Sequence, residues 1–355
     1  MSRLFSNIFL AINILFVLAL LVSAWGGMVN PGFCGWFVSA TLFFPILLLV
    51  NVLFAVVWLV VLSRRWLWSV LAIVACWGNL RNYCPVNITE PIPKGSVKVL
   101  SYNVYGYSGF PTDSIKYGMM LDYLKNSDAD IFCAQEAYYS PGRSREIEKA
   151  LSHWAYRDTL VFENAVNALM LCSNYPILER RVVRAPSVCH ACAVYKLKIK
   201  SDTVVVVNCH FVSNGINGED KQTYHDIITS PEETDTKEGL LRLCRKVNAA
   251  GVKRAEQADS LVACLEELGD VPIIVCGDFN DSPLSYVNHR LSRKLNDAYV
   301  KSGNGPGISY HVAGMFFRLD NVFCSHHWRS FGAKVDSQQE MSDHYPLEVF
   351  LRRVE

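Results

Sequence analysis

Apolar and polar positions divide this chain into two unlike parts. Residues 4–25 are apolar at nearly every position, long enough to cross a bilayer as one helix. Residues 35–62 form a longer apolar run with Pro45 inside it, a break that membrane helices tolerate where neighbours re-satisfy the backbone. Residues 66–80 are fewer, and their tryptophans suit a membrane interface. Together these runs predict two to three transmembrane helices within residues 1–81, a multi-pass membrane region. Residues 82–96 carry Pro85, Pro91, Pro93 and Gly95 and read as a linker. Beyond it the apolar runs shrink to strand length and alternate with helical periods, which predicts one α/β domain over residues 97–355.

Within that domain, residues 97–104, 131–134, 168–172, 188–199, 203–209, 273–276, 319–324 and 347–351 are strand-like. Residues 115–125 and 240–268 repeat apolar positions at helical spacing, and residues 213–236 are polar and acidic, as a loop or lid would be. Strands and helices in this mixture, with several hairpins, predict packed sheets covered by helices.

Charge sharpens the division. Residues 1–84 contain no acid and no lysine, only Arg3, Arg64, Arg65 and Arg81. The remainder, holding the 34 basic residues less those four against 33 acidic ones, is slightly acidic. That balance disfavours long nucleic acid as a tightly held partner but leaves room for a local basic groove. Arg3 before the first apolar run and Arg64-Arg65 after the second agree with the positive-inside rule. If residues 66–80 also span, the α/β domain lies on the non-cytoplasmic side, which is the expected arrangement; if they lie flat, it stays inside. Val22-Ser23-Ala24 resembles a signal-peptide cleavage site, against which stands the second apolar run directly behind it. Asn87-Ile88-Thr89 fits a glycosylation sequon, relevant only in a eukaryotic secretory pathway. The twelve cysteines are scattered, several within strand-like runs (Cys133, Cys172, Cys209, Cys276), as small core residues rather than a disulfide scaffold.

The candidate chemistry sits where strands end. The run Pro272-Ile-Ile-Val-Cys-Gly277 leads into Asp278 and Asn280; 99–102 leads into Asn103; 131–135 leads into Glu136; 204–209 leads into His210. Near the end, Arg318-Leu319-Asp320 opens a strand and Ser342-Asp343-His344 precedes another. One such residue is a strand cap or a loop group. Six sites, all acids, amides or imidazoles, form a constellation of the kind found in active sites. A carboxylate and an amide at the carboxyl end of a buried strand can together hold a water beside a bound phosphate.

In order and rough spacing, the motifs S-Y-N-V, A-Q-E, N-C-H-F, C-G-D-F-N-D, R-L-D-N-V-F and S-D-H-Y-P-L resemble those of the endonuclease/exonuclease/phosphatase superfamily, over about residues 97–353. That group includes deoxyribonucleases, abasic-site endonucleases, neutral sphingomyelinases and inositol polyphosphate phosphatases. The resemblance implies a four-layered α/β sandwich, two mixed β-sheets flanked by helices, here preceded by transmembrane helices. It also implies a divalent cation, Mg²⁺ with Mn²⁺ as a substitute, held by Glu136 with Asn103 beside it and Asp343 nearby. Asp278 would then activate the attacking water and Asn280 hold that water or a phosphate oxygen. His210 and His344 would bind the phosphate, with Asp320 fixing the ring of His344. Oxygen ligands and a substrate phosphate suit Mg²⁺, and a carboxylate-held histidine suits the remaining charge. Some nucleases of the group carry a second acid two residues after the first-motif asparagine; Tyr105 stands there instead, leaving open whether one metal or two are bound.

Other residues need less. Cys189-His190-Ala191-Cys192 is half of a zinc motif without its second pair. His326-His327 reads as a solvated turn, and His153, His225 and His289 lie in polar surroundings. Arg254 and Gln257 lie a turn apart on a helix, and the resemblance gives that pair a structural role facing the sheet. Asn167, before a strand close to the site, and Arg318 are minor substrate-binding candidates. The function expected is a membrane-anchored, metal-dependent phosphoesterase acting on a phosphodiester or phosphomonoester. Its partners would be the lipid bilayer and a nucleic acid, phospholipid head group or inositol phosphate. The alternative is a catalytically inactive, membrane-tethered binding or scaffold domain of the same fold.

Overall fold

The computed structural model describes residues 3–108, 113–162, 168–184, 191–230 and 236–354. Among them the strands, in chain order, are β1 (Val97–Asn103), β2 (Ile131–Gln135), β3 (Tyr156–Val161), β4 (Ala168–Ser173), β5 (Ile177–Arg184), β6 (Ala191–Ile199), β7 (Asp202–His210), β8 (Ile273–Asp278), β9 (Asn296–Asp297), β10 (Tyr310–Val312), β11 (Met315–Phe317), β12 (Asp320–Cys324), β13 (Trp328–Val335) and β14 (Leu347–Arg353). Two six-stranded sheets result, ordered β13-β14-β1-β2-β4-β3 and β5-β6-β7-β8-β12-β9, with β10-β11 as a separate hairpin. Both are mixed: β1 and β2 run parallel, as do β7 and β8, and the other pairs are antiparallel.

The two-residue period of each strand decides what faces what. Val97, Val99, Ile131 and Cys133 of one sheet meet Val204, Val206, Ile274, Cys276 and Val322 of the other in a shared apolar layer. The alternate positions point outward. Leu100, Tyr102 and Phe132 pack under the helix Ser114–Lys125 through Met120 and Leu124. Val205, Val207 and Val275 pack under the long helix Thr236–Glu267 through Ala258, Leu261 and Val262. The stack is therefore helix, sheet, sheet, helix.

Of the six strands not foreseen from the apolar pattern, β10 and β11 form the separate hairpin, and β3, β5, β9 and β13 are the four edges of the two large sheets. An edge strand turns part of its surface to water, so its sequence carries charges, as in Ile-Leu-Glu-Arg-Arg-Val-Val-Arg of β5, and lacks a continuous apolar run. Residues 213–236 also differ from expectation. They include a helix, Gly218–Thr229, opened by a capping box in which Asn217 and Asp220 exchange side-chain and backbone hydrogen bonds. Asp220 is buried and also meets Lys246 and Arg242 of the long helix.

The N-terminal region forms a bundle on one end of this domain. The helix Arg3–Trp25 is continuous. The second apolar run is two helices, Trp36–Leu42 and Phe44–Val60, bent by 57°. Pro45, near the start of the second, has no N–H with which to continue the helix across the break. The third run breaks at Cys76 into Trp66–Ala75 and Trp77–Tyr83. Among the described residues, one helix, Arg3–Met28, is long and apolar enough to cross a membrane, or two if the bent pair counts as one span. The bundle is seated closely on the domain. A Cβ on Gly27 would lie 1.9 Å from the carbonyl oxygen of Leu284, and one on Gly251 would lie 2.5 Å from Val38. The Ser39 N–H donates to Asn248 Oδ1 at 2.9 Å, and Thr41 and Ser282 share a hydroxyl contact at 3.2 Å. Residues 82–96 are docked too: the Asn87 amide donates to the carbonyls of Val300 and Gly303.

Gly277 lies at φ +144°, where any Cβ would sit 1.9 Å from the Cys209 carbonyl oxygen. Gly277→Ala should therefore destabilise the domain by at least ~3 kcal/mol or prevent folding. Gly269→Ala, at φ +72° with open space around it, should cost only about 1–2 kcal/mol. Thermal melts of the two variants would check the contrast.

Candidate active site

Along the inward-facing column of each central strand, the side chains change from apolar to polar toward the same end. On β1 the sequence is Val97, Val99, Ser101, Asn103; on β7 it is Val204, Val206, Asn208, His210; on β8 it is Ile274, Cys276, Asp278. The first polar rung is wholly buried. Gln135 Nε2 donates to Asn208 Oδ1 at 2.7 Å, bridging the sheets, and Asn208 Nδ2 donates to the carbonyls of Ala134 and Met170, both at 3.0 Å.

The next rung is the candidate site. Strand register places His210 beside Asp278 and Asp278 beside Asp320 on three adjacent strands. From the other sheet, Asn103 Nδ2 donates to Asp278 Oδ2 at 3.1 Å and to Glu136 Oε1 at 3.0 Å, while its Oδ1 accepts from the Tyr105 N–H. His210 Nε2 lies 3.6 Å from Glu136 Oε1 and 3.8 Å from Asp278 Oδ2. His344 Nε2 lies 3.6 Å from Asp278 Oδ2, and His344 Nδ1 meets Asp320 Oδ2 at 2.6 Å. Asn280 folds back on Asp278: its N–H donates to Oδ1 at 2.8 Å and its Nδ2 donates to Oδ2 at 3.2 Å.

Two of these residues leave the strand in the left-handed region, Glu136 at φ +50° and Asn280 at φ +53°. For Asn280 the Asx-type bond to Asp278 supports the conformation. For Glu136, a residue without that aid, the conformation costs about 1–2 kcal/mol. Hydrogen bonds on either side hold it: Val104 N–H to Gln135 O, Gly106 N–H to Glu136 O and Ala137 N–H to Ala168 O. The turn swings the carboxylate to the cleft, where Glu136 is half-buried.

Electrostatics follow from crowding. Burial raises the Glu136 carboxyl above its ordinary value, against the lowering effects of His210 and Asn103. For His344, burial acts to lower the pKa, but Asp320 and Asp278 outweigh it and hold the imidazole well above its ordinary value. Asp320 therefore makes the imidazole hold its proton more tightly than a free histidine would.

Of the remaining sequence-selected residues, Asp343 and Tyr105 line the same cleft. Arg318 does not. It is buried behind the cleft wall, with its guanidinium 5.0 Å over the Tyr299 ring and donating to the Asn82 carbonyl. Asn167, Cys189 and His190 lie outside the described residues. His326 and His327 sit on an exposed turn with Asp270. Arg254 and Gln257 support the site from below. Arg254 Nε donates to Asp281 at 3.0 Å and its Nη1 donates to the Val212 carbonyl and Asn214, while the Val212 N–H donates to Gln257 Oε1.

Three contributors escaped the sequence reading. Ser309 Oγ accepts from the N–H groups of Leu319 and Asp320, Tyr310 stands edge-on to His344 at 5.1 Å, and Ser342 Oγ donates to the Asn103 carbonyl. Ser309 and Tyr310 follow a glycine-proline-rich stretch with no periodicity to mark them; Ser342 was visible only as part of S-D-H-Y-P-L.

The donor set suits a divalent cation on its oxygen-rich side. Asp278, Asp320 and His344 bring ligand-type atoms within 4.8 Å of one another, but Asp320 and His344 already share a proton-bearing contact. Glu136 and Asp343 face the cleft without such a partner bond between them, and their carboxylates match the all-oxygen preference of Mg²⁺.

Comparisons with known proteins agree with this fold. The fold is similar to that of truncated Caenorhabditis elegans TDP2 (15% identity, TM-score 0.53, 74% of this chain and 99% of that one). It is also similar to an endonuclease/exonuclease/phosphatase from Bacteroides vulgatus (17%, 0.52, 74% and 100%). A third likeness is to the human Nocturnin catalytic domain with bound sulfate anion (17%, 0.50, 76% and 96%). No curated protein matches the chain. A family described as a domain of unknown function (DUF8431) matches residues 6–83. The Endonuclease/Exonuclease/phosphatase family matches residues 100–344, and the chain belongs to that family.

Proposed function

We propose that this chain is a membrane-anchored, divalent-metal-dependent phosphoesterase. Members of its family are generally hydrolases of phosphoester bonds that depend on a divalent metal. The observation that carries the reading is the meeting of Glu136, Asp278, His210 and His344 within 4 Å contacts at one edge of the two sheets. A scaffold role would not require two carboxylates and two imidazoles to be crowded together at a desolvation cost.

Each residue has a task set by its surroundings. Asp278, oriented by Asn103 and Asn280, takes a proton from the attacking water, which would lie on the cleft side of both Asp278 and Asn280. The water oxygen bonds to phosphorus in line with the departing ester oxygen, whose bond breaks and which leaves as the alcohol by taking a proton from solvent, to which Asp278 returns its own. His344, kept protonated by Asp320, places an N–H against the phosphate oxygens as negative charge grows on them, and His210 approaches from the other side. Glu136 and Asp343 would hold the cation, assisted by the orientation that Asn103 imposes on Glu136. When bound, the cation would neutralise phosphate charge as a Lewis acid.

The anchor reading rests on exposure. Only 28% of the most apolar window of Arg3–Met28 is buried, so the helix is no ordinary core helix. Ser23 and Ala24 are buried, and the Ala24 carbonyl accepts from Asn79, so the cleavage-like triplet is built into the fold. Asn13 bonds Ser69 and Trp58 across the bundle, the kind of polar contact that joins helices in lipid. Arg65 donates to the carbonyl and hydroxyl of Ser6, which gathers Arg3, Arg64 and Arg65 at the bundle end away from the catalytic domain. Under the positive-inside rule this end is cytoplasmic and the catalytic domain is outside.

Asp278→Ala and His344→Ala should each lower phosphoester turnover at least ~10³-fold with the melting transition retained, and chelation should do the same reversibly. A panel of nucleic acid, phospholipid, inositol phosphate and generic diester and monoester substrates, with and without Mg²⁺, is the assay. Because Asp320 raises the His344 pKa, Asp320→Asn lowers it; the alkaline limb of the pH–rate profile should move to lower pH, with the acid side unaffected by that change. A tag placed after Val354 should be digested by protease added to intact cells or spheroplasts, and its protection would place the domain inside.

A further inference from the structure

The cleft that contains the candidate site is a cavity of about 620 Å³ extending well past the polar residues. It reaches Leu42, Phe43, Pro45 and Ile46, the break in the second apolar run, and is walled opposite by Phe316 and Phe317 of the β10–β11 hairpin. Ile46 is 58% exposed and Phe316 57% exposed. From Ile46 an exposed stripe continues down the bundle through Leu49, Leu53, Val56 and Val60 at helical spacing. One apolar surface therefore runs from the outside of the bundle to His344. Among the described residues, the cations lining the cleft, apart from histidine, are Lys221 and Arg254. Arg254 is committed to Asp281, so this lining lacks the basic track that a nucleic-acid backbone needs.

We propose that the substrate is an amphiphilic phosphoester, a lipid phosphate whose apolar chain lies between Ile46 and Phe316 while its phosphate reaches His210 and His344. This rests on the phosphoesterase reading for its chemistry but not for its binding. The helix break is what opens the groove: a straight second span would carry Phe43 and Ile46 away from the hairpin. A chain resting on the bundle stripe slides toward the site without crossing water, and the site meets its substrate at the membrane surface.

The test measures equilibrium binding of inorganic phosphate, butyl phosphate and octyl phosphate to the full chain in lipid discs, with empty discs as the blank. The wild type is compared with an Ile46→Ser/Phe316→Ser variant, both changes being at exposed positions outside the catalytic set. Each buried methylene strengthens binding about fourfold, so octyl phosphate should bind the wild type at least about tenfold more tightly than butyl phosphate. In the variant that ratio should fall below about threefold, with phosphate binding unchanged. Equal affinity for the two esters, or an unchanged ratio in the variant, overturns the proposal. Turnover of p-nitrophenyl phosphate and its bis-ester is measured alongside. Its complete absence beside a strong chain-length effect would refute the phosphoesterase reading and leave the groove standing. Turnover without a chain-length effect would do the reverse.

Discussion

The buried amide bridge between the sheets is the contact on which the rest depends. Gln135 and Asn208 are fully buried, and each precedes a site residue on its own strand: Glu136 directly, His210 by two positions. Two apolar sheet faces packed on each other have no strong preference for one sliding position, since hydrophobic contact is non-directional. A polar pair buried between them does. If the bond is broken, Asn208 Oδ1 loses its donor inside the core, at about 1–3 kcal/mol. The bridge thus fixes how far one sheet is advanced along the other, and with it the distance between Glu136 and His210 on the rung above.

That rung is held in an electrostatically costly state. Glu136, Asp278, Asp320 and Asp343 converge at one end of the sheets, and burial raises the Glu136 and Asp320 carboxyls above their ordinary values. Amide donors from Asn103 and Asn280 and the proton shared by His344 and Asp320 offset part of this. What is left raises the Glu136 pKa and is the reason a cation is expected at the open face rather than at the already satisfied Asp320–His344 pair. Below the site, the Arg254–Asp281 pair is buried and hydrogen-bonded on several sides. Removing one partner of such a pair typically costs about 3–5 kcal/mol, so the loops carrying Val212 and Asp281 are held firmly against the long helix.

The bundle belongs to the same argument. Its contacts with the domain are made by glycines with no room for a side chain, Gly27 and Gly251, and by short polar side chains, Ser39, Thr41, Asn248 and Ser282. Close backbone approach of this kind leaves the bundle little freedom to swing on the domain. The bundle therefore forms one wall of the candidate cleft.

The sequence by itself determined the two-part division, the central strands and the polar residues at their ends, because buried strands must be continuously apolar and an ionisable residue at such a strand's end is costly unless used. The family resemblance supplied the rest of the layered plan. The edge strands β3, β5, β9 and β13 were not legible, because half-solvated strands carry charges that conceal their period. The helix Gly218–Thr229 was hidden for a related reason: its cap is Asn217 with Asp220 in a run that is otherwise polar throughout. Only the tertiary structure decided that His210, Asp278 and Asp320 share one rung, since register between strands is set by packing and not by any one segment. It alone decided, too, that Pro45 bends an apolar run so that Phe43 and Ile46 face the site, because proline marks where a helix can break but the surface waiting for it determines which way it turns.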